Sequence, residues 1–126
     1  IGSRVPMYCT GSGRAYLGAL PEAEALALVQ QAELKMHTPY TRTTVDDIME
    51  DLRQTRQRGY AVNGEELFLG DMTLAAPINN AGGRPIASVH IVAPTSRWTR
   101  DKAEKKLVPA LLQCALSLNN IARALD

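Results

Sequence analysis

The chain has 126 residues, enough for one domain, and its 45% hydrophobic and 21% charged content is ordinary for a globular fold. With 14 Lys and Arg against 13 Asp and Glu the formal charge is +1, which removes any electrostatic case for nucleic-acid binding by this segment. Its apolar runs fall far short of the ~20 residues a membrane helix needs, and its 2 cysteines, Cys9 and Cys114, have neither metal-type nor framework spacing, so a reducing cytoplasm is expected.

The sequence opens on Ile1-Gly2-Ser3-Arg4-Val5-Pro6 without an initiator methionine and reads as a piece of a longer protein. Ile1–Cys9 is expected to hold the end of a strand and its loop. Thr10-Gly11-Ser12-Gly13-Arg14 then joins the apolar run Val5-Pro6-Met7-Tyr8-Cys9 to a helix predicted over Ser12–Leu20. A small-residue turn feeding a helix leaves the first N–H groups without partners inside the helix, and the helix dipole favours negative charge there. Such a turn suits a carboxylate or phosphate. The plainer alternative is an ordinary cap by Thr10 or Ser12, with the glycines only permitting the turn.

Pro21 suits a first helical position, and Ala25, Leu26, Leu28, Val29 and Ala32 give a helical stripe over Glu22–Leu34. A polar loop spans Lys35–Thr44. Thr43 or Thr44 caps a helix running to Gln57, in which Arg53, Arg56 and Arg58 mix with Asp46, Asp47, Glu50 and Asp51 as a solvated face, and Gly59 stops it. Tyr60–Val62 reads as a short strand and Asn63–Glu66 as a turn, with Glu65 or Glu66 capping or pairing with Arg14 or Arg4. Strands over Asp71–Ile78 and Arg84–Ala93 flank a hairpin turn at Asn79–Gly83. Thr99 starts a long helix to about Leu125 that Pro109 is expected to kink or restart.

Alternation separates the two faces of the hairpin. Met72, Leu74, Ala76, Ile78, Ala87, Val89, Ile91 and Ala93 make one face apolar throughout, and that face should carry helices. Thr73, Ser88 and His90 lie on the other among small apolar residues, with no Lys, Glu or Arg in the strand interiors. A water-facing sheet surface carries charges and large polar groups. Small hydroxyls and one imidazole point instead to a covered, half-polar cavity of the kind that holds a small molecule.

Four segments together resemble the effector-binding domain of IclR-family bacterial transcriptional regulators. They are Gly2-Ser3-Arg4-Val5-Pro6-Met7 with Gly11-Ser12-Gly13-Arg14-Ala15 and Leu17; Leu52-Arg53-Gln54-Thr55-Arg56-Gln57-Arg58-Gly59-Tyr60; Glu65-Glu66-Leu67 with Gly70; and Leu74-Ala75-Ala76-Pro77-Ile78. The resemblance implies an α/β (α+β) fold: a GAF-like antiparallel sheet with helices on one face and a ligand pocket on the other. It implies a winged helix-turn-helix DNA-binding domain and a first portion of the sensor that are both missing here, and assembly as dimers or tetramers. It also implies a small, often acidic effector, with no cofactor and no metal. The effector's carboxylate falls on the N–H groups of Gly11 and Ser12, and the remaining pocket positions fall on Asn63, Asp71, Thr73, Ser88 and His90.

Three of these positions depart from the family pattern. Asn63 stands where keto-acid binders carry an acidic residue, His90 where some carry serine, and Asp71 where the side chain is apolar. Together they suggest a larger hydroxylated acid, such as a hydroxybenzoate. Segments Val5–Leu17 and Ser88–Trp98 look most like regulators of aromatic-acid catabolism. Two other functions compete with a sensor: a thiol enzyme pairing Cys9 with His90, and a purely structural dimerisation module.

Overall fold

The computed structural model describes residues 6–125. In chain order the elements are α1 (Gly11–Ala19), α2 (Glu22–Gln31), α3 (Val45–Arg58), β1 (Ala61–Gly64), β2 (Asp71–Asn79), β3 (Pro85–Pro94) and α4 (Arg100–Leu125). The part of the expected first strand over Ile1–Val5, and any pairing by Arg4, lie outside the described residues. The chain turns at Tyr8–Cys9 rather than running on as a strand. The side chain of Tyr8 accounts for this: its hydroxyl donates to Lys35 O at 2.7 Å and accepts from Lys35 N–H at 2.9 Å, hooking the turn to the loop after α2.

The helix boundaries follow their caps. Thr44 Oγ1 accepts from Asp47 N–H, Asp46 and Asp47 occupy the first turn of α3, and Gly59 closes the helix at φ 87°, a left-handed conformation that favours glycine. Thr99 Oγ1 accepts from Lys102 N–H at the start of α4. That helix runs on through Pro109 without a restart. Pro109 is on the exposed side, where water can take the carbonyl that loses its N–H partner. α2 ends at Gln31, three residues short of the expected Leu34, because Ala32 is already extended as the chain turns toward Tyr8.

The sheet is antiparallel in the order β1-β2-β3. β1 extends through Asn63 and Gly64, residues that read as a turn, because they pair with Thr73 and Met72 of β2. Register places Thr73 opposite Val92, Ala75 opposite His90 and Pro77 opposite Ser88. Asn63, Thr73, His90 and Ser88 therefore share one face. The other face packs Val62, Met72, Leu74, Ala76 and Ala93 against Ala103, Val108, Leu111 and Ala115 of α4. Burying a leucine such as Leu74 or Leu111 contributes roughly 1.5–3 kcal/mol.

The expectation of helices on one face only is corrected, because the helices lie on both faces of the sheet. α4 covers the apolar face alone. α1 lies on the polar face, where Ala15 meets Ala61 and Ala75. α2 and α3 stack behind it through Leu17, Leu20, Ala25, Val29, Ile48, Met49 and Leu52. Small side chains on the sheet let α1 approach closely and roof what remains of that face.

A buried ionic cluster ties these layers together. Arg14 on α1 is fully buried, with Nη1 2.6 Å from Asp51 Oδ2 on α3, Nη2 2.8 Å from Glu66 Oε1, and Nε donating to Tyr8 O. The expected pairing of Arg14 with a glutamate is made by Glu66. Asp51 corrects the sequence reading: it is buried against Arg14 and does not belong to the solvated face of α3.

At the other end of β1, the Tyr60 hydroxyl donates to Glu104 Oε2 of α4. This hydrogen bond, followed by Arg100, holds the Glu104 carboxyl below its ordinary value against the opposing effect of burial. A carboxylate depressed in the folded state contributes stability that is present above its unfolded pKa and lost as pH falls through the folded one. Tyr60→Phe is therefore expected to be less stable than wild type near neutrality, and the difference should shrink toward about pH 3. Urea unfolding at both pH values checks this, and a difference independent of pH would contradict it.

Candidate functional site

Thr10 has extended backbone, and its Oγ1 accepts from Gly13 N–H at 3.2 Å, so the expected cap is present. That cap satisfies the third helical N–H. Gly11 and Ser12 occupy the first two positions, whose N–H groups have no acceptor within the helix. Cap and anion site are thus compatible: Thr10 serves one donor and leaves two.

These two positions border a cavity of about 220 Å³ on the polar face of the sheet. Its polar lining is Thr10, Gly11, Ser12, Asn63, Asp71, Thr73 and His90, and its apolar lining is Cys9, Leu67, Phe68 and Val92. Gly11, Ser12, Asn63, Asp71, Thr73 and His90 come from three strands and one helix end, and the fold brings all of them to this cavity. Ser88 lies two residues along β3 from His90, opposite Pro77, and is outside the lining. Neither Phe68 nor Leu67 was expected at the site from the sequence. Phe68 is the sole phenylalanine in the chain and is 61% exposed in the loop before β2, at the cavity's rim.

Gly11 is required by close approach. A Cβ there would lie 2.6 Å from Thr73 Cγ2 and 2.8 Å from Thr73 Cβ. α1 thus reaches the sheet because its first residue has no side chain. Ser12 Oγ lies 2.8 Å from His90 Nδ1, a contact that joins the α1 terminus to β3. An imidazole held there is placed to exchange its partner for a ligand oxygen. Gly11→Val is expected to push into Thr73 and lower affinity for an acid at this cavity at least about tenfold. Titration calorimetry would check it, and unchanged affinity would remove the α1 terminus from the site.

Cys9 lines the cavity and is fully buried. Burial pushes its thiol above the ordinary value, against a smaller opposing effect of Arg14. The thiolate needed for the Cys9–His90 pairing is disfavoured, and His90 Nδ1 is engaged with Ser12 instead.

A larger cleft of about 470 Å³ lies between Pro6–Tyr8 and α2, lined mainly by apolar side chains with Glu33, Lys35 and His37. His37 Nε2 lies 3.1 Å from the Tyr8 hydroxyl, which already serves Lys35. The smaller cavity, which gathers polar side chains of three strands beside the start of α1, is the candidate site. Among the described residues no helix is long and apolar enough to cross a membrane.

Comparison with known proteins agrees with this architecture. The family model for the bacterial transcriptional regulator IclR C-terminal region matches residues 1–120. The HTH-type transcriptional repressor AllR of Escherichia coli K12 is 35% identical over 102 residues, covering 81% of this chain and 38% of AllR. The chain therefore spans well under half the length of that relative. A Rhodococcus sp. RHA1 crystal structure superposes with TM-score 0.93 at 30% identity, covering 100% of this chain and 51% of that one. The inducer-binding domain of PobR from Acinetobacter, a double mutant in complex with 3-hydroxybenzoic acid, superposes with TM-score 0.88 at 30% identity, covering 96% and 69%.

Proposed function

The chain belongs to the IclR C-terminal family of bacterial transcriptional regulators, and on that premise we propose that it is the ligand sensor of a cytoplasmic regulator. In this reading the cavity under α1 takes a small organic acid, with an aromatic hydroxy acid as the favoured class. The acid's carboxylate meets Gly11 and Ser12 N–H. Asn63, Asp71, Thr73 and His90 read the remainder, and Ser88 contributes from the margin. The observation that carries the reading is the convergence of two helix-terminal N–H groups, which have no acceptor within the helix, and four strand-borne polar side chains on one cavity. The PobR complex adds support for the ligand class, since that related domain holds 3-hydroxybenzoic acid.

The regulatory step follows from linkage. An acid that binds one arrangement of the protein better than another shifts the balance between them, by no more than its differential affinity. We assign the output to a winged helix-turn-helix domain outside this chain, acting within a homodimer or homotetramer. A net charge of +1 fits DNA contact being made elsewhere.

His90→Ala tests the site without testing the fold. His90 is exposed, and among the described residues its side chain bonds across the cavity mouth to Ser12, so the melting temperature should hold while affinity for 3-hydroxybenzoate falls about tenfold. A large drop in melting temperature with unchanged affinity would make His90 structural and overturn its assignment.

A further inference from the structure

The cavity has a donor end and an acceptor end. Gly11 and Ser12 N–H groups form the first. Asn63 and Asp71 stand in the other wall. An asparagine amide carries a donor and an acceptor of nearly the same shape, so by itself it reads either kind of ligand group. At Asn63 the choice is made from behind. The residue is 4% exposed, and Nδ2 lies 3.2 Å from Glu66 Oε2. Glu66 is 1% exposed, and its carboxylate also accepts from Arg14 Nη2 at 2.8 Å, Arg42 N at 2.8 Å and Arg42 Nη1 at 2.7 Å. A carboxylate paired with two guanidinium groups only accepts hydrogen bonds. Turning the amide over would set Asn63 Oδ1 against Glu66 Oε2, two acceptors facing each other in a buried site. Nδ2 must therefore face Glu66, and Oδ1 is the polar atom left for the cavity.

We propose that Glu66 is a positioning residue for ligand selectivity: by holding the Asn63 amide nitrogen it fixes Oδ1 as an acceptor, so the cavity selects an organic acid bearing a hydroxyl donor away from its carboxylate. This rests on the sensor reading above and narrows its ligand class. Asp71, an acceptor in the same wall, reinforces the preference. A site built to accept from a hydroxyl rejects an isostere without one, because its buried oxygen is then left unpaired.

The test is titration calorimetry with 3- and 4-hydroxybenzoate and the matching fluorobenzoates, which keep the size but cannot donate. For wild type, the better hydroxy acid should bind at least about tenfold more tightly than its fluoro counterpart. Asn63→Leu should bring that ratio near one. Glu66→Gln should lower the ratio as well, since a glutamine amide can donate as well as accept and lets Asn63 turn. An undiminished ratio in either folded variant overturns the proposal. Should Glu66→Gln fail to fold, hydrogen exchange of the wild-type Asn63 side-chain amide decides instead. Slow exchange with and without acid supports the clamp, and fast exchange overturns it. Equal wild-type binding of hydroxy and fluoro acids, with the Gly11 and Ser12 amide resonances moving, would overturn the selectivity while the sensor reading stands. Binding of none of the four acids would overturn both.

Discussion

Arg14→Met should destabilise the protein by about 3–5 kcal/mol, a large share of a typical domain's total stability. Arg14 is fully buried and serves three acceptors at once: Asp51, Glu66 and the Tyr8 carbonyl. Methionine fills much of the volume and supplies no donor. Two carboxylates, 6% and 1% exposed by residue, then lose their shared cation while still shut away from water. Glu66 keeps Arg42 as a partner, so the penalty comes chiefly from the buried Asp51 charge rather than from the attraction itself, because replacing a whole buried pair by apolar groups is often neutral. Arg53 is the built-in comparison. It pairs with Glu22 and Glu50 at the surface, with about half its side chain exposed, and Arg53→Met should leave the unfolding midpoint nearly unchanged. Urea titration of both variants checks the contrast, and comparable small losses would show that the Arg14 cluster does not hold α1 to α3.

Gly13→Ala should be the second severe change, and it should damage binding as well as folding. An added Cβ would collide with the Met7 backbone at its O, Cα and C atoms. Backbone cannot rotate aside as a side chain can, so either α1 or the Met7–Thr10 turn must move, at a cost of about 1–3 kcal/mol for overpacking. The same shift displaces the Gly11 and Ser12 N–H groups, so acid affinity should fall beyond what the loss of stability explains. Gly11→Ala differs in kind: its Cβ meets the Thr73 side chain, which has some freedom to give, and its effect should concentrate on the cavity. Thermal unfolding and ligand titration of the two variants check this. A Gly13→Ala protein with wild-type stability and affinity would contradict the packing argument.

How far the sequence foretold these results depends on whether the deciding interaction was local. The limits of α3 were legible because Thr44, the two aspartates after it and Gly59 act within one turn of the helix. The hairpin faces were legible because alternation in β2 and β3 has one register that buries Met72, Leu74 and Ala76 together. Asp51 was misread because charge spacing on a helix cannot show that an arginine 37 residues away will reach it. Asn63 looked like a turn residue because Asn-Gly is a turn signal, whereas its pairing with Thr73 is a tertiary fact. The apolar run up to Cys9 suggested an extended strand, and the Tyr8 hydroxyl bent it toward Lys35. For the candidate site, the Gly11–Ser12 turn and the Thr73–His90 face were visible as separate features. Their meeting around one cavity depended on alanines at positions 15, 61 and 75, which let α1 sit close to the sheet. Either Glu65 or Glu66 was expected to cap or to pair with Arg14 or Arg4, and the hold of Glu66 on Asn63 is a tertiary contact that the sequence does not display.

Under the proposed function the α1 terminus grips the acid group of the ligand. A crystal structure of the protein grown with the tightest-binding hydroxybenzoate tests it most directly. Ligand density is expected between α1 and β3, with the carboxylate within hydrogen-bonding distance of Gly11 N and Ser12 N and the hydroxyl toward Asn63. Density in the cleft between Tyr8 and α2, or a ligand whose carboxylate points away from α1, would contradict it.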